Sequence, residues 1–156
     1  MVYEGQTLEL FNVLSFRAKM TQREIAAKSK EIELVLENNN AHKAGSSVST
    51  TYSVEVGAEG EILDIEILIP LDKEVVPPAG YTFKPYFLLT NALMVRLIGN
   101  PSGLQDCIKE LQTYIDEHKL TPISNSYNVT VKEVKSYLEI DKSEIDIYVS
   151  VSPNVL

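Results

Sequence analysis

Leu63-Asp64-Ile65-Glu66-Ile67-Leu68-Ile69 decides how this chain folds, because its pattern returns as Ile145-Asp146-Ile147-Tyr148-Val149-Ser150-Val151. Aliphatic residues at every second position predict a strand with one continuous apolar face. Asp64 and Asp146 are 82 residues apart, and the helical positions Ile25 and Ile108 are 83 apart. Residues 8–71 and 86–153 therefore read as two copies of a strand–helix–strand–strand unit, joined by a linker over about 72–84. The fold class that follows is α+β: duplicated β-α-β-β units forming one antiparallel sheet, with two helices on one face. In this alignment Glu66 and Tyr148 hold equivalent positions.

Working outward, residues 8–18 are rich in Leu, Phe and Val and predict the first strand. Thr21-Gln22-Arg23-Glu24 has capping-box spacing, a hydroxyl followed three residues later by Glu. Ile25, Ile32 and Leu36 then form a helical stripe, which Asn38-Asn39-Asn40 stops. Val48, Thr50, Tyr52, Val54 and Val56 alternate with polar residues, as one buried strand face requires. Gly57-Ala58-Glu59-Gly60 is a hairpin turn into the strand quoted above. In the second copy, residues 86–98 form a strand, and Asn100 with Pro101 starts a helix. Leu104, Cys107, Ile108, Leu111 and Ile115 are its apolar stripe. Tyr127, Val129 and Val131 alternate in the next strand, and a looser segment over 135–143 replaces the tight hairpin.

Composition narrows the function. The 156 residues are one domain by size and carry a net charge of −8. So acidic a body repels phosphate backbones, which argues against a nucleic-acid partner. No apolar run reaches the length of a membrane span, and Met1-Val2-Tyr3-Glu4-Gly5-Gln6-Thr7 is no signal peptide. A cytoplasmic location and no membrane partner are expected. The single Cys107 excludes an intramolecular disulfide and, lying on an apolar stripe, reads as a core residue. His42 and His118 have no Cys or second His at ligand spacing, so no metal is expected. The run Gly99-Asn100-Pro101-Ser102-Gly103 lacks both the Walker lysine and the dinucleotide glycine spacing. No carboxylate pair stands out for acid–base work, so no catalytic residue is assigned.

If the aliphatic rows of 63–69 and 145–151 face the helices, the opposite face carries Asp64, Glu66, Leu68, Asp146, Tyr148 and Ser150. That polar and aromatic face is open to a ligand or partner, with Glu66 and Tyr148 as the leading candidates. Tyr52 and Tyr127 lie on the apolar faces of their strands, where they either border a site or pack in the core.

The duplicated unit, the run Ile98-Gly99-Asn100-Pro101-Ser102-Gly103-Leu104, Tyr127, and the close over Ser143–Pro153 together resemble the GyrI-like superfamily. That superfamily includes effector-binding domains of multidrug-responsive transcription activators, a gyrase inhibitory protein and SOUL-type haem-binding relatives. The resemblance runs from about residue 8 to 153 and is most specific to small stand-alone members from Gram-positive bacteria. It implies a single domain that binds a small, partly apolar ligand in a groove between its halves, with Glu66, Tyr148, Tyr127, Tyr52 and Asn125 at or near the ligand. Cation-binding members tend to carry a Glu where this chain has Asn125, and an amide cannot offset a buried cation. Glu66 is the residue that could substitute. No cofactor is expected, since neither His is placed to ligate haem.

The reading is therefore a non-enzymatic effector-binding domain. The alternative is a protein-interaction adaptor, inhibitor or chaperone with a protein partner, linked to a bacterial secretion or toxin system. A hydrolase is the third reading, because some relatives are thought to cleave reactive small molecules.

Overall fold

The computed structural model describes residues 1–153. In chain order it contains β1 (Val2–Thr21), α1 (Gln22–Asn38), β2 (Val48–Gly57), β3 (Gly60–Pro70), β4 (Tyr81–Ile98), α2 (Leu104–Glu117), β5 (Tyr127–Lys132) and β6 (Glu144–Ser150). The fold is α+β with antiparallel strands and two main helices, as the sequence predicts. By compactness the chain divides into a first unit, Leu10–Phe87, and a second unit made of Met1–Glu9 and Leu88 onward. The linker is shorter than the sequence suggests, because Tyr81-Thr82-Phe83-Lys84 already belongs to β4. The β-favouring Tyr, Thr and Phe start a strand as soon as Pro77 and Pro78 are passed.

In the first unit, β3 is flanked by β1 and β2, both antiparallel to it. Cross-strand partners share a face, so Leu14, Phe16, Ala18 and Met20 lie beside Ile69, Ile67, Ile65 and Leu63. Helix α1 covers this row: Ile32 and Leu36 pack with Leu14, Ile69, Leu71 and Val75, while Ile25 packs with Met20, Leu63 and Ile65. The helix begins at Thr21 with both arms of the capping box formed. It ends through Asn40, whose φ of 53° turns the chain so that Ala41 N–H reaches the Leu36 carbonyl.

The second unit repeats the plan. Strand β6 lies between β4 and β5, with Leu93 beside Val149 and Val95 beside Ile147. Helix α2 closes over them through Leu111 and Ile115, with Leu104 and Cys107 at the margin of the same cluster. Asn100 accepts the Ser102 N–H at 3.0 Å and caps a single 3-10 turn that leads into α2. In the segment that replaces the hairpin, Tyr137–Lys142 forms another 3-10 turn.

Two sequence expectations need correcting. The first is the register of the repeat. Arg17 stands opposite Glu66, and Arg96 stands opposite Asp146. Asn12 and Asn91 have φ of 52° and 49°, and their carbonyls accept the N–H of Leu71 and Val151 respectively. The helix positions that correspond are Ile32 with Leu111 and Leu36 with Ile115, the buried pair of each helix. The repeat thus advances by 79 residues up to the second strand of each unit and by 80 on the last. Ile25 and Ile108 are not equivalent, nor are Glu66 and Tyr148: Glu66 matches Asp146, and Tyr148 matches Leu68. The similar strings 63–69 and 145–151 align best two residues out of register, because period-two sequences match themselves at any even shift.

The second correction concerns the far face of the last strands. Leu68 is fully buried, and Glu66, Asp146 and Ser150 are 6%, 3% and 5% exposed. In the first unit this face also holds Val13, Ser15, Val48 and Thr50, all buried. It is a second interior surface, so its charged groups must be paired.

Candidate ligand anchor at Glu66

Glu66 owes its surroundings to three local features of the sequence. Strand β1 places Ser15 and Arg17 on its face of the sheet, opposite Leu68 and Glu66. On β2 the pairing runs from Thr51–Ile65 to Ser53–Asp64 and skips Tyr52, so Tyr52 is the extra residue of a β-bulge. A bulge re-aims its side chain. Hence the alternation expected of β2 fails there: Val48 and Thr50 are buried, whereas Tyr52, Val54 and Val56 are exposed. The start of β4 supplies Lys84.

These elements converge on one carboxylate. Ser15 Oγ donates to Glu66 Oε2 at 2.5 Å, and Lys84 Nζ donates to the same oxygen at 2.6 Å. Tyr52 donates its hydroxyl to Oε1 at 2.8 Å. Arg17 lies over the Tyr52 ring, 3.6 Å from its centroid, and is held there by a bidentate pair with Asp64 at 3.1 Å.

Burial pushes the Glu66 carboxyl up, but the hydrogen bonds from Lys84, Ser15 and Tyr52 together outweigh it and hold the group below its usual value. A depressed folded-state pKa stabilises the protein above the unfolded-state value, about 4.3, and that contribution fades as pH falls through the folded value. Glu66→Gln is accordingly expected to cost about 1–2 kcal/mol at pH 7, with a smaller difference from wild type below about pH 4. Urea unfolding of both proteins across that range checks it.

The second unit shows what the same positions do without this cluster. Asp146 takes the place of Glu66 and is closed by Arg96, whose Nε and Nη2 donate to its two oxygens at 2.7 and 2.8 Å. Met94 stands where Ser15 does, and Val131, skipped in the β5–β6 pairing, where Tyr52 does. Seventy-nine residues before Lys84 is Gly5, which has no side chain to offer. Arg17 is the counterpart of Arg96, yet it pairs with Asp64 and leaves Glu66 to Lys84, Ser15 and Tyr52. Both units keep a buried acid with an arginine opposite it on the neighbouring strand, whereas the serine, the bulged tyrosine and the lysine occur in the first unit alone.

Of the residues proposed from sequence, Glu66 and Tyr52 come together here, in the first unit. Tyr148, Tyr127 and Asn125 lie in the second unit, each half-buried. Tyr127 and Tyr148 are cross-strand neighbours. Burial, and then the charge of Asp146, push the Tyr148 hydroxyl upward. The Asn125 carbonyl accepts from the Ser124 hydroxyl at 2.8 Å. Ser15, Lys84 and Arg17 escaped the sequence reading. Ser15 is a lone hydroxyl in an apolar run, and Lys84 follows a proline-rich linker. Only the strand register brings either to Glu66.

Elsewhere, His42 is exposed and bonded to Asp72, while His118 ends α2 with Nδ1 2.9 Å from the Tyr114 carbonyl. Burial raises the Cys107 thiol, which suits its place beside the core. Among the described residues no cluster of His, Cys, Asp and Glu could hold a metal ion, and no helix is long and apolar enough to cross a membrane.

No sequence-family model matches the chain, and no curated protein matches it. Solved structures do. The C-terminal domain of EcmrR superposes with a TM-score of 0.75 at 12% identity, over 97% of this chain and 99% of that domain. EcmrR in its DNA complex gives 0.78 at 12% identity, and there the chain spans 97% of itself but 57% of EcmrR. SAV2435 bound to tetraphenylphosphonium gives 0.54 at 13% identity, covering 98% and 93%. A hydrolase from Listeria innocua gives 0.60 at 11% identity, covering 97% and 91%. At 11–13% identity these likenesses establish a shared fold.

Proposed function

We propose that this chain is a GyrI-like small-molecule binding domain, non-enzymatic, whose polar anchor is the Glu66–Lys84–Tyr52–Ser15 cluster. The observation that carries this reading is the contrast between the two units. A duplicated fold has kept its buried acid twice, but has built a three-donor cluster with an exposed aromatic edge around only one copy. Structural neighbours lend support, since SAV2435 was solved with tetraphenylphosphonium bound on the same architecture. The ligand presents apolar surface to Tyr52 and a polar group to the cluster.

Chemistry at the cluster favours binding over turnover. Glu66 is held ionised by three donors, which makes it a poor proton acceptor. The Cys107 thiol is raised rather than activated. The hydrolase neighbours share the fold at 11% identity, and fold alone does not carry activity.

The test is Tyr52→Val, which installs the residue that the second unit uses at this position. Because Val131 occupies the matching bulge, the variant should fold with stability within about 1 kcal/mol of wild type. Binding of small aromatic probes, measured by isothermal titration calorimetry, should weaken about tenfold through loss of the ring. Unchanged affinity in a folded variant would remove the cluster as the anchor.

A further inference from the structure

Two groups favour an organic cation in a protein: an unpaired carboxylate to balance its charge and an aromatic face to stack against it. At the Glu66 cluster both are already taken. The buried acids among the described residues are Glu66 and Asp146. Asp146 is closed by the bidentate Arg96, and Glu66 by Lys84 at 2.6 Å. One face of the Tyr52 ring is covered by the Arg17 guanidinium.

We propose that this chain supplies its own counter-cations at the Glu66 cluster, Lys84 for the carboxylate and Arg17 for the ring, so that its ligand is electrically neutral and offers a hydrogen-bond acceptor to Lys84. This deepens the binding reading above and rests on it. The charge balance is direct: Glu66 and Lys84 sum to zero, as do Asp64 and Arg17. An arriving cation would find no net negative charge and two like charges beside Tyr52. Displacing Lys84 would strip a short ion pair from a buried carboxylate, which is costly. Glu66 uses one of the three N–H donors of Lys84, whose side chain remains 35% exposed. A carbonyl or phosphoryl oxygen can accept from the remaining donors without disturbing the pair.

Two probes of matched bulk separate the cases. Tetraphenylphosphonium is a cation without an acceptor, and triphenylphosphine oxide is neutral with a strong one. Isothermal titration of wild type should give at least about tenfold tighter binding of the oxide, because like charges set side by side oppose the phosphonium. Lys84→Met should reverse the order by exposing the Glu66 carboxylate. Lys84→Met with Glu66→Gln, which leaves no unpaired charge to destabilise the fold, should lose the gain for the phosphonium. Wild type binding phosphonium as tightly as oxide would overturn the inference, as would a preference unmoved by Lys84→Met. Failure of folded wild type to bind either probe would instead remove the small-molecule reading itself, and this inference with it.

Discussion

Ile147→Ala is expected to lower the free energy of unfolding by about 3–4 kcal/mol, the largest effect of any single change considered. Ile147 is fully buried and sits among Leu93, Val95, Leu111, Ile115, Val149 and Val151. Truncation removes the transfer energy of its outer methyl groups and leaves a cavity that strand and helix close only in part, at about 2–5 kcal/mol for such changes. For a chain of this length each kcal/mol lowers Tm by about 2–4 °C, so a fall near 10 °C should be seen by calorimetry. Val56→Ala is the control. Val56 is 89% exposed, and its truncation should move stability by less than about 0.5 kcal/mol.

The second large effect is electrostatic. Arg96→Met should cost about 3 kcal/mol. It strands the Asp146 carboxylate, 5% exposed, and removes a partner 3.0 Å from Glu144. Breaking a buried pair from one side costs about 3–5 kcal/mol, and the lower figure applies because the Arg96 side chain is 43% exposed. Arg17→Met is the matched control. Its partner Asp64 is 18% exposed and can rehydrate, so the loss should be much smaller than for Arg96→Met. Urea midpoints with unchanged m-values would register both.

The contrast between Arg96 and Arg17 also shows what a sequence can and cannot disclose. The helix caps at Thr21 and Asn100 and the apolar rows ending in Ile69 and Val151 are local patterns, and they were legible. Glu66 stands out in sequence through an equivalence with Tyr148 that the strand register overturns. The register of the duplication was not legible, because a period-two string fits its copy at several even offsets. The conserved turn geometry at Asn12 and Asn91 fixes it, and this needs backbone angles. Alternation alone puts Tyr52 on the apolar face, because a bulge leaves no mark in an alternating sequence. Composition alone puts Lys84 in the linker, yet it supplies the charge that neutralises Glu66. The proposed anchor depends on long-range register, which no local pattern around Lys84 or Ser15 carries.

The central claim is that the first unit's cluster, and not its counterpart in the second, receives the ligand. Backbone amide shifts of isotopically labelled protein during titration with triphenylphosphine oxide test it most directly. The shifts should concentrate at Ser15, Arg17, Tyr52, Glu66 and Lys84, and should need about tenfold more ligand in Tyr52→Val. Shifts centred on Arg96, Val131 and Asp146, with the Glu66 strand undisturbed, would contradict it.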